Sequence, residues 1–120
     1  MSPTIKDDPR LSPEQLTRVT DLVAANLERA LRLSELAAAI QMSEYRFARA
    51  FQATTGDTVH KYIMKQRITR ARELLAKDDL PLSAVAVTVG FSSQSHMTLA
   101  FQRNLSTTPG RYRSDLHDSQ

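Results

Sequence analysis

No cysteine occurs among the 120 residues, which excludes disulfide staples, thiolate metal sites and thiol redox chemistry. Tryptophan is absent too, and the 3 glycines are too few for a phosphate-cradling loop. No apolar run approaches the roughly 18 residues of a membrane span. Met1-Ser2-Pro3-Thr4-Ile5-Lys6-Asp7-Asp8 has no apolar stretch of a secretory signal, so a cytoplasmic location off the membrane is expected. His60, His96 and His117 lie far apart without metal-ligand spacing. Ser92, Ser93 and Ser95 near His96 could resemble a nucleophile with its base, but helix capping explains the serines better. The expectation is no catalysis, no cofactor and no metal.

Scarce glycine beside abundant alanine and leucine favours helices over a sheet, so the expected fold class is all-α. A hydrophobic content of 41% suffices for a packed core and argues against wholesale disorder. The length fits one domain, or two very small lobes sharing an element.

One motif is written twice. Leu33-Ser34-Glu35-Leu36-Ala37 is answered by Leu82-Ser83-Ala84-Val85-Ala86, at an offset of 49 residues. Ala50-Phe51-Gln52 is answered by Ala100-Phe101-Gln102 at an offset of 50, and Thr58 and Tyr62 recur in that register as Thr108 and Tyr112. Each copy reads as a short helix, a tight turn and a second helix, the layout of a helix-turn-helix.

The boundaries follow from caps and apolar spacing. Residues 1–11 read as a flexible lead-in. Ser12-Pro13-Glu14-Gln15 signals a helix start with a capping box, and Leu16, Val19, Leu22, Val23 and Leu27 form one stripe to an end near Glu28–Ala30. Lobe one, 12–57, continues with Ser34 as the cap of a short helix, a turn at Gln41-Met42, and a second helix over about 44–54 capped by Ser43. Gly56 ends that helix. A long linker helix over 58–76, capped by Thr58, buries Val59, Tyr62, Ile63, Ile68, Ala71, Leu74 and Leu75. Lobe two, 80–113, repeats the plan with Ser83 as cap, Gly90-Phe91 in the turn, a helix over about 94–104 and a last short turn of helix from Thr108-Pro109. Residues 114–120 read as a flexible tail.

The net charge of +3 is modest but unevenly placed. Residues 46–77 hold Arg46, Arg49, Lys61, Lys65, Arg67, Arg70, Arg72 and Lys77 against Asp57 and Glu73, while the flanking segments are slightly acidic. Such a cationic zone is what phosphate binding requires, although a solvated helix face would look the same by charge alone.

A helix-turn-helix needs a small residue where its helices cross, and Ala37 and Ala86 stand there. It also favours glycine in the turn; Gly90 fits, whereas Gln41 is expected to cost about 1 kcal/mol of local strain. The N-terminal half of the second helix must offer groups to base edges in a major groove roughly 12 Å wide. In the first copy the outward residues are Glu44, Tyr45, Arg46, Ala48 and Arg49; in the second they are Gln94, Ser95, His96, Thr98 and Leu99. Arg46 and Arg49 suit guanine O6/N7, Gln94 suits adenine N6/N7, Ala48 can meet a thymine methyl, and Ser95 and His96 are versatile. The linker helix spans roughly 28 Å at 1.5 Å per residue, near the roughly 34 Å of one DNA turn, so successive grooves are the expected targets.

Ala71-Arg72-Glu73-Leu74-Leu75, Leu82-Ser83-Ala84-Val85-Ala86, Gly90-Phe91-Ser92-Ser93-Gln94-Ser95-His96, Phe101 and Thr108-Pro109-Gly110-Arg111-Tyr112-Arg113 together resemble the DNA-binding domain of AraC/XylS-type bacterial transcription regulators. The resemblance covers about residues 12–113. It implies about seven helices in two helix-turn-helix lobes on a linker helix, acting on double-stranded DNA. It places base readout at Tyr45, Arg46, Ala48, Arg49, Gln94, Ser95, His96 and Thr98. Ser43, Lys61, Ser93, Arg103, Arg111 and Arg113 are the phosphate-contact candidates. Regulators of this type often touch RNA polymerase, and many carry a preceding sensory or dimerisation domain. This chain alone is therefore expected to be monomeric, with any dimerisation left to a missing N-terminal domain. Three departures stand out: Leu99 where the family often has Arg, Ser106 where glycine is usual after the second reading helix, and Gln41 in the first turn.

Two other readings compete. A non-sequence-specific architectural DNA binder would use the same basic zone, yet different side chains at equivalent positions of the two reading helices favour sequence reading. A protein-interaction module could use Val87 or Leu99 in an apolar patch. The ratio of specific to random-duplex affinity separates the first rival, and a salt-insensitive partner bound without DNA would favour the second.

Overall fold

A computed structural model describes residues 9–77 and 79–118 of the chain. Among them are seven helices and no strand: α1 (Pro13–Ala25), α2 (Leu33–Ala39), α3 (Glu44–Thr55), α4 (Val59–Lys77), α5 (Leu82–Thr88), α6 (Gln94–Leu105) and α7 (Pro109–Asp118). Two compact units divide them. The first comprises the described residues up to Asn26 with Leu31–Tyr62; the second comprises Leu27–Ala30 with the described residues from Ile63 onward.

In the first unit α1 starts as its sequence dictates. Ser12 Oγ accepts the Gln15 N–H at 3.1 Å, Gln15 Oε1 accepts the Ser12 N–H at 2.8 Å, and Pro13 fills the first helical position. The helix ends at Ala25, earlier than the apolar stripe suggested. Asn26 stops it by donating its amide Nδ2 to the Leu22 carbonyl at 2.8 Å, while its N–H reaches the Val23 carbonyl at 3.1 Å. Leu11 corrects the expected lead-in: its side chain is buried and its N–H donates to Thr54 Oγ1 at 2.8 Å. Residues 1–8 of that lead-in lie outside the described residues. Leu11, Val19, Val23, Leu36, Ala37, Phe47, Ala50 and Phe51 make the core, with Phe51 edge-on to Tyr62 at 5.3 Å. Burial raises the Tyr62 pKa above its ordinary value.

The second unit repeats this packing. Phe101 meets the Tyr112 ring edge-on at 6.1 Å, within a core of Ile68, Ala71, Leu75, Val85, Ala86, Val89, Phe91, Met97 and Ala100. Fully burying one such phenylalanine contributes about 1.5–3 kcal/mol. The last helix is longer than a short turn. α7 continues through the segment expected to be a tail, reaching Asp118 with Leu116 half-buried on it. Residues 119–120 lie outside the described residues.

Ser34 and Ser83 do not cap. Arg32 and Pro81 hold the N-cap positions with extended backbone, and the serines sit inside the first turns of α2 and α5. Pro81 has its φ fixed by its ring, and the Arg32 N–H is taken by Glu35 Oε1 at 3.2 Å. Ser43, Ser93, Thr58 and Thr108 do accept from the backbone three residues on, at 3.2, 3.0, 3.1 and 3.2 Å.

The two turns are built by the same backbone bonds. Met42 N–H reaches the Ala37 carbonyl at 2.9 Å and Gln41 N–H the Ala38 carbonyl at 3.1 Å. Phe91 N–H reaches Ala86 at 2.9 Å and Gly90 N–H reaches Val87 at 3.1 Å. Each pair is a Schellman closure, which puts Gln41 and Gly90 at its left-handed position. Their φ values are 57° and 98°. At the ends of α3 and α6 the assignment reverses: Gly56 has φ 84° and Ser106 has φ 57°. Left-handed backbone costs a side-chain-bearing residue about 1–2 kcal/mol, and glycine gives back part of that through a freer unfolded chain. Gln41→Gly and Ser106→Gly should therefore each stabilise the fold by about 0.5–1 kcal/mol. Urea denaturation with unchanged slope would register the gain; a loss at either site would show that its side chain makes a compensating contact.

Candidate nucleic-acid interface

Ala37 in α2 and Ala86 in α5 are buried, small residues on the helix that precedes each turn, as a close crossing with the second helix requires. The buried faces of the second helices are Phe47, Ala50 and Phe51 in α3, and Met97, Ala100 and Phe101 in α6. With those faces fixed inward, helical spacing fixes the outward ones.

On α3 the outward set is Glu44, Tyr45, Arg46 and Arg49, all exposed, with Ala48 half-buried at the flank. Tyr45 is 70% exposed, rare for a side chain that gains so much from burial. Arg49 Nη1 donates to Tyr45 Oη at 2.9 Å, and the guanidinium carbon stands 5.4 Å from the ring centroid. On α6, Gln94, Ser95 and Leu99 are exposed and Thr98 is half-buried. His96 is half-buried, edge-on to Phe91 at 5.2 Å. Its Nδ1 lies 3.0 Å from Ser92 Oγ and 3.4 Å from the Ser92 N–H, so Nδ1 is engaged with Ser92 and Nε2 is the ring nitrogen left to face outward. The α6 set thus holds no arginine or lysine, whereas α3 presents two arginines.

The phosphate candidates divide. Lys61 and Arg111 are exposed in the first turns of α4 and α7. A cation there opposes the helix dipole, so helix stability does not account for it at either equivalent position. Arg103 is exposed in the last turn of α6, and Ser43 and Ser93 use their hydroxyls as caps at the N-termini of the reading helices. Arg113 is the exception. Its Nη1 donates to the Leu80 carbonyl at 2.7 Å, and its Nε and Nη2 are buried, so its guanidinium braces the second unit and is not presented to an anion.

The cationic zone is likewise thinner than its sequence. Arg67 is only 7% exposed, and donates from Nε to the Leu27 carbonyl at 3.1 Å and from Nη2 to the Arg29 carbonyl at 2.9 Å. Desolvation pulls its pKa below the ordinary arginine value. Arg72 donates from Nε to Tyr112 Oη at 3.0 Å and stacks 5.5 Å from that ring. Sequence reasoning missed both roles. The one available signal was Tyr112 recurring one repeat after Tyr62, which marks a ring needing a partner.

A helix-turn-helix family model matches residues 36–115. An AraC-type transcriptional regulator from Chromobacterium violaceum shares the fold at a TM-score of 0.80 and 27% identity, over 86% of this chain and 92% of that one. The chain belongs to the AraC-type helix-turn-helix family. The DNA-binding domain of AdpA, a global transcriptional factor crystallised with a target DNA, superposes on this AraC-type domain with a TM-score of 0.83. The identity is 28%, over 88% of this chain and 96% of that one. Regulatory protein PocR of Salmonella typhimurium is 28% identical over 96% of this chain, but only 42% of its own length is covered. The AraC-type domain spans less than half the length of the first curated relatives it matches. No described helix is long and apolar enough to cross a membrane, and no described group of His, Asp or Glu is arranged to hold a metal.

Proposed function

We propose that this domain reads the sequence of double-stranded DNA as the DNA-binding part of a cytoplasmic transcription regulator, with α3 and α6 entering successive major grooves. The observation that carries this is the pair of helices whose buried faces leave a row of base-competent side chains outward at their N-terminal halves. Arg46 and Arg49 read one groove. Gln94, Ser95 and His96 read the next, with Ala48 and Thr98 making apolar contact from the helix flanks. His96 offers its ring Nε2 to a base edge. Ser43, Ser93, Lys61, Arg103 and Arg111 face the phosphates. The domain acts as a monomer by itself, and RNA polymerase is the protein contact this role implies.

The test is selection from a randomised duplex library at roughly 150 mM salt, where nonspecific binding is weak. Two enriched motifs are expected. A single motif would leave α6 gripping only backbone, and no enrichment would favour an architectural role. Within the selected site, Arg49→Ala should relax preference at one or two base pairs and cost about 1–3 kcal/mol, the worth of one bidentate arginine–guanine contact. Wild-type selectivity in that variant would remove Arg49 from base readout. By contrast Lys61→Ala should weaken all duplexes alike and lower the salt slope by about 1.

A further inference from the structure

Tyr45 and Arg49 stand one helical turn apart on the exposed face of α3 and hold each other, by a hydrogen bond of 2.9 Å and by stacking at 5.4 Å. We propose that Tyr45 is a positioning residue: it holds the Arg49 fork in one orientation for a base edge and does not itself select a base pair. This rests on α3 being a DNA-reading helix.

The donor inventory permits it. A guanidinium carries five N–H donors, and the Tyr45 hydroxyl takes one, which leaves enough for a two-point contact with guanine O6/N7. The energetics favour it. An exposed arginine must be ordered when it binds, and an arginine already stacked and bonded has lost that freedom beforehand. Burial gives no competing reason for the residue, because a ring 70% exposed contributes little to the core. The internal repeat supplies an independent observation. At the offset of 50, Ser95 stands for Tyr45 and Leu99 stands for Arg49. Where the arginine is replaced the aromatic is replaced with it, as expected of a ring whose work is done through the arginine.

The experiment compares the full chain with Y45A, Y45F, R49A and the Y45A/R49A double variant, on the duplex selected by wild type and on every single-base change within it. Tyr45→Ala should weaken the selected duplex about three- to tenfold, the scale of ordering one long side chain. It should relax the same base pairs as Arg49→Ala. Tyr45→Phe keeps the stack without the hydroxyl and should fall between, and the double variant should bind no more weakly than Arg49→Ala alone. Unchanged melting temperatures would separate this from a fold defect. Relaxation at a different base pair, additive losses, or full selectivity in Tyr45→Ala while Arg49→Ala relaxes would each overturn the positioning role and leave the DNA-reading role intact. Failure of wild type to enrich any motif would overturn both.

Discussion

Gly90→Ala should cost about 3–6 kcal/mol, from left-handed backbone, overpacking and a displaced hydrogen bond together. A Cβ at Gly90 would stand 1.8 Å from the Leu27 carbonyl oxygen, 2.9 Å from its carbon and 2.8 Å from Arg67 Nε. Two of those atoms are backbone and the third is bonded to that same oxygen, so no flexible side-chain end can swing aside. The φ of +98° adds its own penalty. Against a typical stability of about 5–15 kcal/mol, the loss leaves the second unit marginal or unfolded. Because Gly90 closes the turn that precedes α6, the reading helix would shift even in molecules that remain folded.

Gly56→Ala is the matched control. Gly56 has φ +84°, but a Cβ there meets nothing within 4 Å. It should lose only the conformational part, a net of about 0.5–1 kcal/mol. Urea midpoints at constant slope measure both. Equal losses would mean that the turn can retreat from Leu27, and that close approach is not why glycine stands there.

The pair also explains what a sequence reader can and cannot see. The two helix-turn-helix copies were legible because Ala37, Phe51 and Tyr62 recur as Ala86, Phe101 and Tyr112, and the recurrence survives as matching turn bonds and ring contacts. Ser43 and Ser93 were legible as caps because each precedes its helix directly. Ser34 and Ser83 misled because each follows a leucine that is already helical, and composition does not say which residue turns the backbone. The reading helices, and which of their faces points outward, followed from spacing. The positions of cations did not. Arg67 and Arg72 add to the same local charge count as Arg46 and Arg49. Only the fold shows that Arg67 reaches inward to Leu27, 40 residues away, and that Arg113 turns to Leu80, 33 residues away. Helical periodicity reports the face of a long side chain and says nothing of where its polar end finds an acceptor.

Arg67 carries the second large effect. Its stem passes through the core, and its guanidinium ties down two carbonyls of the Leu27–Ala30 segment, which clusters with the second unit. Arg67→Met preserves an unbranched apolar stem and removes both donors. The Leu27 carbonyl, pressed against Gly90, has no room to take water in exchange; the Arg29 carbonyl is only part-buried and can be hydrated. One orphaned buried acceptor costs about 1–3 kcal/mol, and losing a charge-assisted bond to the other adds roughly another 1. Removing a desolvated charge returns part of this, so a net loss of about 2–3 kcal/mol is expected. Arg67→Lys should recover only part, because a single ammonium cannot span both carbonyls as the planar fork does. Arginine is so basic that it stays protonated across the working range despite the downward shift, so the loss should be the same at pH 5 and pH 8. The sharper test combines the sites. Gly90→Ala already displaces Arg67 from Leu27, so the double variant Gly90→Ala/Arg67→Met should lose less than the sum of its parts. Additive losses would show that the glycine and the arginine act on Leu27 independently.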